Sequence, residues 1–127
     1  RLLDTAVGHA RARTQFGRPI GAFQAVAHPL AEVYAQTELA RSLVLRAAWC
    51  VAAADPAVDE AVAVATVASR EAAVRAGEVA IQVLGGTGFT WAHPAHRWYR
   101  RALATEAFDG YPRCHRARIA GLLLDSR

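Results

Sequence analysis

Two long stretches of this chain space their mostly apolar residues three or four apart, a pattern that only a helix turns into one continuous face. In the first stretch the positions are Leu30, Val33, Thr37, Ala40, Val44, Ala47 and Val51; in the second they are Val58, Val62, Ala65, Ala68, Ala72, Ala76, Val79 and Val83. A 3.6-residue period brings such positions onto one side, where they can pack against a neighbour. The apolar residues are mostly Ala, a strong helix former, and aromatics make up only 8%, so material for strands is scarce. The second stretch carries its own end signals. Asp55 suits an N-cap, Pro56 the first helical position, and Asp59 and Glu60 the first turns, where the helix dipole favours negative charge. Gly85 and Gly86 stand where a helix stops. At about 1.5 Å per residue this helix is on the order of 40 Å long. The two stretches therefore match as an antiparallel pair.

Further helices fit around this pair. Residues 1 to 14 read as helix until Gly17 and Pro19 break it, leaving a short loop, FGRPIG. The first long helix runs from about Ala22 to Ala54, with Pro29 predicting either a kink or a start after His28. After the loop GGTGFTWAH come helices over about 94–107 and 112–124, separated by Gly110. The 127 residues suit one all-α domain. Cys50 reads as a small core residue. Leu39, Leu43 and Trp49 lie off the seam of their helix and predict a second apolar contact, either within the chain or between subunits. The opening residues already read as helix with no cap before them, as in a piece of a longer protein.

Charge and cysteine content exclude several classes. All 15 basic residues are Arg, and the net charge is +4, but no recognised nucleic-acid motif accompanies them. Cys50 and Cys114 make neither a disulfide framework nor a zinc site. His93 and His96 lack a third ligand, so no metal is expected. Neither a signal peptide nor a membrane-spanning apolar run is visible, which places the chain in the cytoplasm by default. Arg97, Arg100 and Arg101 read as a solvated or ion-paired face.

Three stretches could carry chemistry. In Arg13-Thr14-Gln15-Phe16-Gly17-Arg18-Pro19-Ile20, a glycine turn exposes backbone beside two guanidinium groups, which could hold a phosphate, although most such turns are plain helix exits. In Gln82-Val83-Leu84-Gly85-Gly86-Thr87-Gly88-Phe89, glycines permit close approach of a ligand and Gln82 offers an amide. This cluster follows a helix and lacks the P-loop Lys, so it is neither a Rossmann nor a P-loop fingerprint. In Phe108-Asp109-Gly110-Tyr111, an Asp on a glycine turn is a candidate base or a turn former. Glu106 is nearby.

Together the segments RTQFGRPIGAFQAVAHPLA, QVLGGTGFTWAHPAHRWYRR and FDGYPRCHR resemble the acyl-CoA dehydrogenase family in order and spacing, over nearly the whole chain. The resemblance implies that family's C-terminal up-and-down four-helix bundle with an additional short helix. An N-terminal helical domain and a middle β-domain would lie outside this chain. It also implies FAD as cofactor, with Arg13 on the pyrophosphate of a neighbouring subunit's flavin. Gln15, Phe16 and Gln24 would line the same dinucleotide, and Gln82, Gly85 and Gly86 would meet its adenosine–pyrophosphate part. His93 and His96 fall in a structural H-P-x-H stretch.

The third segment departs from the family pattern. Many members carry Tyr-Glu-Gly-Thr followed by an Arg. Counting back from Arg116 puts Phe108 at the Tyr, Asp109 at the Glu and Gly110 at the Gly, while Tyr111 replaces the Thr. In the family the Glu removes the α-proton of the acyl-CoA while hydride leaves the β-carbon for the flavin. Asp109 is the candidate base here, with Phe108 and Gly110 lining the substrate. Asp is one methylene shorter, about 1.5 Å of reach, which matters for a positioned proton transfer. Some relatives keep the base on the helix preceding this chain's start.

The resemblance therefore implies a component of an acyl-CoA dehydrogenase that forms a 2,3-enoyl-CoA and passes electrons to an electron-transfer flavoprotein. It would work as a homo-oligomer or beside a homologous subunit, and the isolated chain is expected to be inactive. The altered turn fits a second expectation, a non-catalytic subunit or assembly module completing a partner's flavin site. A related flavin oxidase or monooxygenase shares the bundle and is a third. Acyl-chain length is not encoded in these residues alone.

Overall fold

The computed structural model describes residues 1–108 and 110–125. Among them the chain forms five α-helices: α1 (Leu2–Ala12), α2 (Gln24–Ala52), α3 (Val58–Leu84), α4 (Ala95–Ala107) and α5 (Pro112–Asp125). A two-stranded antiparallel hairpin, β1 (Thr14–Gln15) and β2 (Arg18–Pro19), joins α1 to a single 3-10 turn at Ile20–Ala22. A second 3-10 turn, Gly85–Phe89, follows α3.

Helix α3 is the axis of the bundle, because α1, α2, α4 and α5 all pack against it. Its buried residues include Ala61, Ala63, Ala65, Gly77, Val79 and Ala80. Residues two apart on a helix point to nearly opposite sides. A single stripe therefore could not serve α3, and Val62, expected in that stripe, is 38% exposed. Small side chains make this crowding possible. A Cβ on Gly77 would stand 2.2 Å from Cδ2 of Tyr99, so α4 lies on α3 where α3 has no side chain at all.

The core has two parts. Ala6, Ala10, Leu30, Val33, Val79 and Ala80 join α1, α2 and α3; Ala47, Cys50, Ala61 and Ala65 join α2 and α3 alone. That division corrects the expected seam of α2. No α1 residue packs into the second part, so only the sector facing α3 is covered there. Val44 and Val51 are left 46% and 60% exposed, while Leu43 and Cys50 take their place. Of the off-seam residues, Leu43 packs within the chain, whereas Leu39 and Trp49 stand on the outer surface.

The helix ends follow the local chemistry with small shifts. Asp55 Oδ1 accepts the Ala57 N–H at 2.8 Å, but regular helix begins only at Val58. The Asp55–Pro56 turn thus leads into the helix rather than forming its first turn. Gly85 closes α3 at φ 59°, a conformation that suits glycine. Helix α2 starts at Gln24, ahead of Pro29, and does not wait for His28. So near the helix start, the missing Pro29 N–H deprives only the Ala25 carbonyl of its partner.

Candidate functional site

The hairpin after α1 organises the first site. The register pairs Thr14 with Pro19 and Gln15 with Arg18, leaving Phe16 and Gly17 as a two-residue loop. Their φ angles are 52° and 77°, the primed turn that matches strand twist. Gly17 takes this conformation freely, but at Phe16 it costs about 1 kcal/mol. The Phe16 ring is also 93% exposed. The chain thus accepts strain to hold an aromatic ring in solvent, an arrangement that burial does not explain.

Phe16 does not stand alone. Its ring meets Phe23 edge-on at 6.1 Å, and the Arg18 guanidinium lies 4.1 Å over the Phe23 ring. Gln15, Phe16, Ile20, Phe23, Gln82 and Val83 surround an open cleft of about 480 Å³. Behind the cleft, Ile20, Val26 and Val83 pack on the first part of the core. An apolar floor, aromatic faces, two amides and a guanidinium suit a flat heteroaromatic ligand with an anionic tail.

The structure brings together at this cleft Gln15 and Phe16 from the stretch 13–20 and Gln82 from the stretch 82–89. Arg13, Gln24, Gly85 and Gly86 do not line it. Arg13 ends α1 in extended conformation, with its carbonyl accepting the Ile20 N–H at 2.8 Å. Gln24 opens α2 and is exposed. At Gly85 and Gly86 a Cβ would meet nothing within 4 Å, so a ligand has room beside that backbone. Phe23 was not anticipated from the sequence. Its place on the helix side of the Phe16–Gly17 turn was the available signal.

The second candidate region is the turn between α4 and α5. Asp109 lies outside the described residues. Phe108 ends α4 and is 75% exposed, and Gly110 follows at φ 90°. Pro112 then starts α5 and is buried. From α3, Arg70 reaches across: its Nη1 donates to the Gly110 carbonyl, lies 3.4 Å from the Glu106 carbonyl, and is also 3.4 Å from His115 Nε2. Neither Phe108 nor Gly110 lines the cleft at the hairpin. Arg70 and Gln82 are twelve residues apart on α3, about 18 Å along its axis. A separate, mostly apolar cavity of about 390 Å³ lies among Leu2, Leu3, Ala76, Trp98, Ala102 and Thr105.

His93, His96 and Arg100 have structural contacts around the start of α4. His93 Nδ1 accepts the Ala95 N–H at 3.2 Å, and His96 lies edge-on to Trp91 at 4.6 Å. Arg100 stands 5.7 Å over Trp91, and Arg97 and Arg101 are exposed. Among the described residues no group of three metal-ligating side chains gathers, and no helix is long and apolar enough to cross a membrane.

The family described as acyl-CoA dehydrogenase, C-terminal domain, matches residues 1–124. The mitochondrial short-chain specific acyl-CoA dehydrogenase of Homo sapiens is 41% identical over 124 residues, which is 98% of this chain and 30% of that protein. The structure of butyryl-CoA dehydrogenase from Megasphaera elsdenii superposes with a TM-score of 0.90 at 32% identity, over 97% of this chain and 32% of that one. The FAD complex of PigA superposes with a TM-score of 0.93 at 28% identity, over 100% of this chain and 33% of that one. The chain thus spans about a third or less of the relatives it matches.

Proposed function

The chain belongs to the acyl-CoA dehydrogenase family, whose C-terminal domain it carries, and from that premise we propose that it completes an FAD-dependent enzyme oxidising an acyl-CoA thioester to the 2,3-enoyl-CoA. The observation that carries this reading is the cleft at the hairpin, where Gln15, Phe16 and Gln82 converge beside a strained turn. The donor set fits a dinucleotide. Phe16 offers a face for a ring, Gln15 and Gln82 offer amides for polar edges, and Arg13 and Arg18 offer guanidinium groups for phosphate charge. Gln24, Gly85 and Gly86 extend this surface, the glycines by leaving their backbone open.

When bound, FAD supplies the acceptor for the hydride lost from the substrate β-carbon. Asp109 supplies the carboxylate that takes the α-proton, whose acidity comes from the adjacent thioester. Losing the α-proton and the β-hydride leaves the carbon–carbon double bond. Phe108 and Gly110 flank the carboxylate in sequence and line the reacting end of the substrate, and the apolar cavity near Thr105 suits the acyl chain. The outer surface of α2, with Leu39, Leu45 and Trp49 exposed, forms the contact between identical or homologous subunits. N-terminal helical and middle β-domains, a cytoplasmic location and electron delivery to an electron-transfer flavoprotein belong to the same reading. By itself, residues 1–127 would not turn over acyl-CoA.

Full-length protein supplied with FAD is expected to hold flavin and to lose the flavin's visible absorbance on anaerobic mixing with an acyl-CoA. Protein that binds no flavin contradicts the reading. A second reading rests on Asp109 and Tyr111, which stand where many family members carry Glu and Thr. The chain would then complete a partner's flavin site without being catalytic. Asp109→Asn separates the two: loss of turnover supports the first, and unchanged turnover supports the second or a base placed elsewhere.

A further inference from the structure

We infer that Trp98 determines which acyl groups the protein accepts, because its indole walls the apolar cavity enclosed by α1, α2, α3 and α4. This rests on the dehydrogenase reading above and adds to it the residue that gauges the chain.

The cavity is built from facing stripes of the helices. On α4 the lining positions are Trp98, Arg101, Ala102 and Thr105, spaced so that a helix places them on one side. Opposite them α3 presents Ala72, Ala73 and Ala76. Alanine reaches only one carbon beyond the backbone, so α3 leaves the space unfilled. Leu2 and Leu3 of α1 and Thr37 of α2 line the remaining sides. At about 390 Å³ the cavity has more than twice the volume of one of about 150 Å³ that admits benzene, which is room for several carbons of a chain.

The polar side chains of the lining do not make it a polar site. Thr37 Oγ1 donates to the Val33 carbonyl at 2.7 Å, and Thr105 Oγ1 to the Arg101 carbonyl at 2.7 Å. Each hydroxyl is spent on its own helix, which leaves the methyl groups for the cavity. Arg1 and Arg101 are exposed. Such walls accept hydrocarbon and disfavour a polar chain, whose buried groups would find no partner.

Trp98 is the largest side chain of the lining and its only aromatic. The α4 stripe runs about 10 Å from Trp98 to Thr105, so the indole stands at one end of it. Leu2 and Leu3 rest on the first part of the core, whereas among the described residues Trp98 packs on neither part. The alanines have one carbon each to lose. Trp98 is therefore the wall whose trimming opens the most room.

The test uses the FAD-loaded full-length protein with straight-chain acyl-CoA thioesters from butyryl to palmitoyl as probes, and reads kcat/KM for each. Trp98→Leu trims the wall and should raise the ratio of the longest to the shortest thioesters about tenfold. Ala73→Leu fills the cavity from the opposite side and should lower the same ratio about tenfold. Flavin content is expected to hold in both. Opposite shifts are what a resized cavity produces and a merely loosened fold does not.

A ratio within about twofold of the unaltered protein's in Trp98→Leu overturns the inference. Shifts in the same direction in both variants overturn it as well. If Trp98→Leu does not fold, Trp98→Phe takes its place with a smaller rise expected, and an unaltered ratio there overturns it equally. Unaltered protein whose flavin no acyl-CoA reduces would remove the dehydrogenase reading, and this inference with it. A working parent with an indifferent Trp98 would remove this inference only.

Discussion

The hairpin after α1 and the turn between α4 and α5 both present functional candidates at the end of a helix, yet they are held in different ways. The hairpin is backed by apolar packing: Ile20, Val26 and Val83 rest on a core that joins three helices. It can therefore carry a strained, exposed Phe16 at its tip. The α4–α5 turn has far less behind it. Around it, among the described residues, Ala102 and Pro112 are buried, and Arg70 of α3 donates to the Gly110 carbonyl. A surface backed by a core is robust to change at its tip, whereas a turn with little apolar backing is sensitive to its polar contacts. This difference suits the proposed roles, because binding a dinucleotide needs a broad, stable surface and proton transfer needs one carboxylate in one place.

The comparison can be broken most severely from below. Leu30→Ala removes a buried side chain under the hairpin and should cost about 3 kcal/mol of unfolding free energy, read by chemical denaturation. Hydrogen exchange should quicken in α1 and the hairpin as well as globally. Gly77→Ala acts on the other region. Its Cβ collides with the Tyr99 ring, and about 2 kcal/mol should be lost as α4 is pushed off α3. Exchange should then rise more in α4 than in α1. Equal loosening of both in the second variant would mean the two regions are not held separately.

A smaller effect with opposite signs sharpens the contrast. Phe16→Gly relieves the positive φ and should leave the fold unchanged or more stable by about 1 kcal/mol. The same variant should weaken FAD binding to the full-length protein about tenfold, since an aromatic face has been removed. Stability lost together with affinity would show that Phe16 serves packing instead. The smallest effect is expected from Arg116→Gln, where the partner Glu71 is also exposed; stability should move by less than about 0.5 kcal/mol.

Much of the framework was legible because it depends on neighbours in sequence. Pro19, the Asp55–Pro56 pair, Gly85 and Gly110 each act on backbone within a few residues, and the helices stop near them. Cys50, 2% exposed, sits in the core as its apolar surroundings implied. Other features depend on what lies across space. Two-residue strands are too short to show alternation, so the hairpin read as a loop. Which flank of α2 is covered depends on how far α1 reaches, and the spacing of Val44 and Val51 carries no record of that. Arg70 acts on residues 36 to 45 positions away, and a lone Arg in a helix gives no sign of its target. At the candidate site, convergence of Gln15, Phe16 and Gln82 was foreshadowed by two motifs, whereas Phe23 and Arg70 needed the fold.

The central claim is that the cleft behind the hairpin serves FAD in a longer flavoprotein. Titrating FAD into flavin-free full-length protein tests it most directly, with Gln82→Ala and Phe16→Gly beside the unaltered sequence. The account predicts saturable binding by the unaltered protein and about tenfold weaker binding in each variant, without loss of helical content. No flavin uptake, or uptake indifferent to both substitutions, would contradict it.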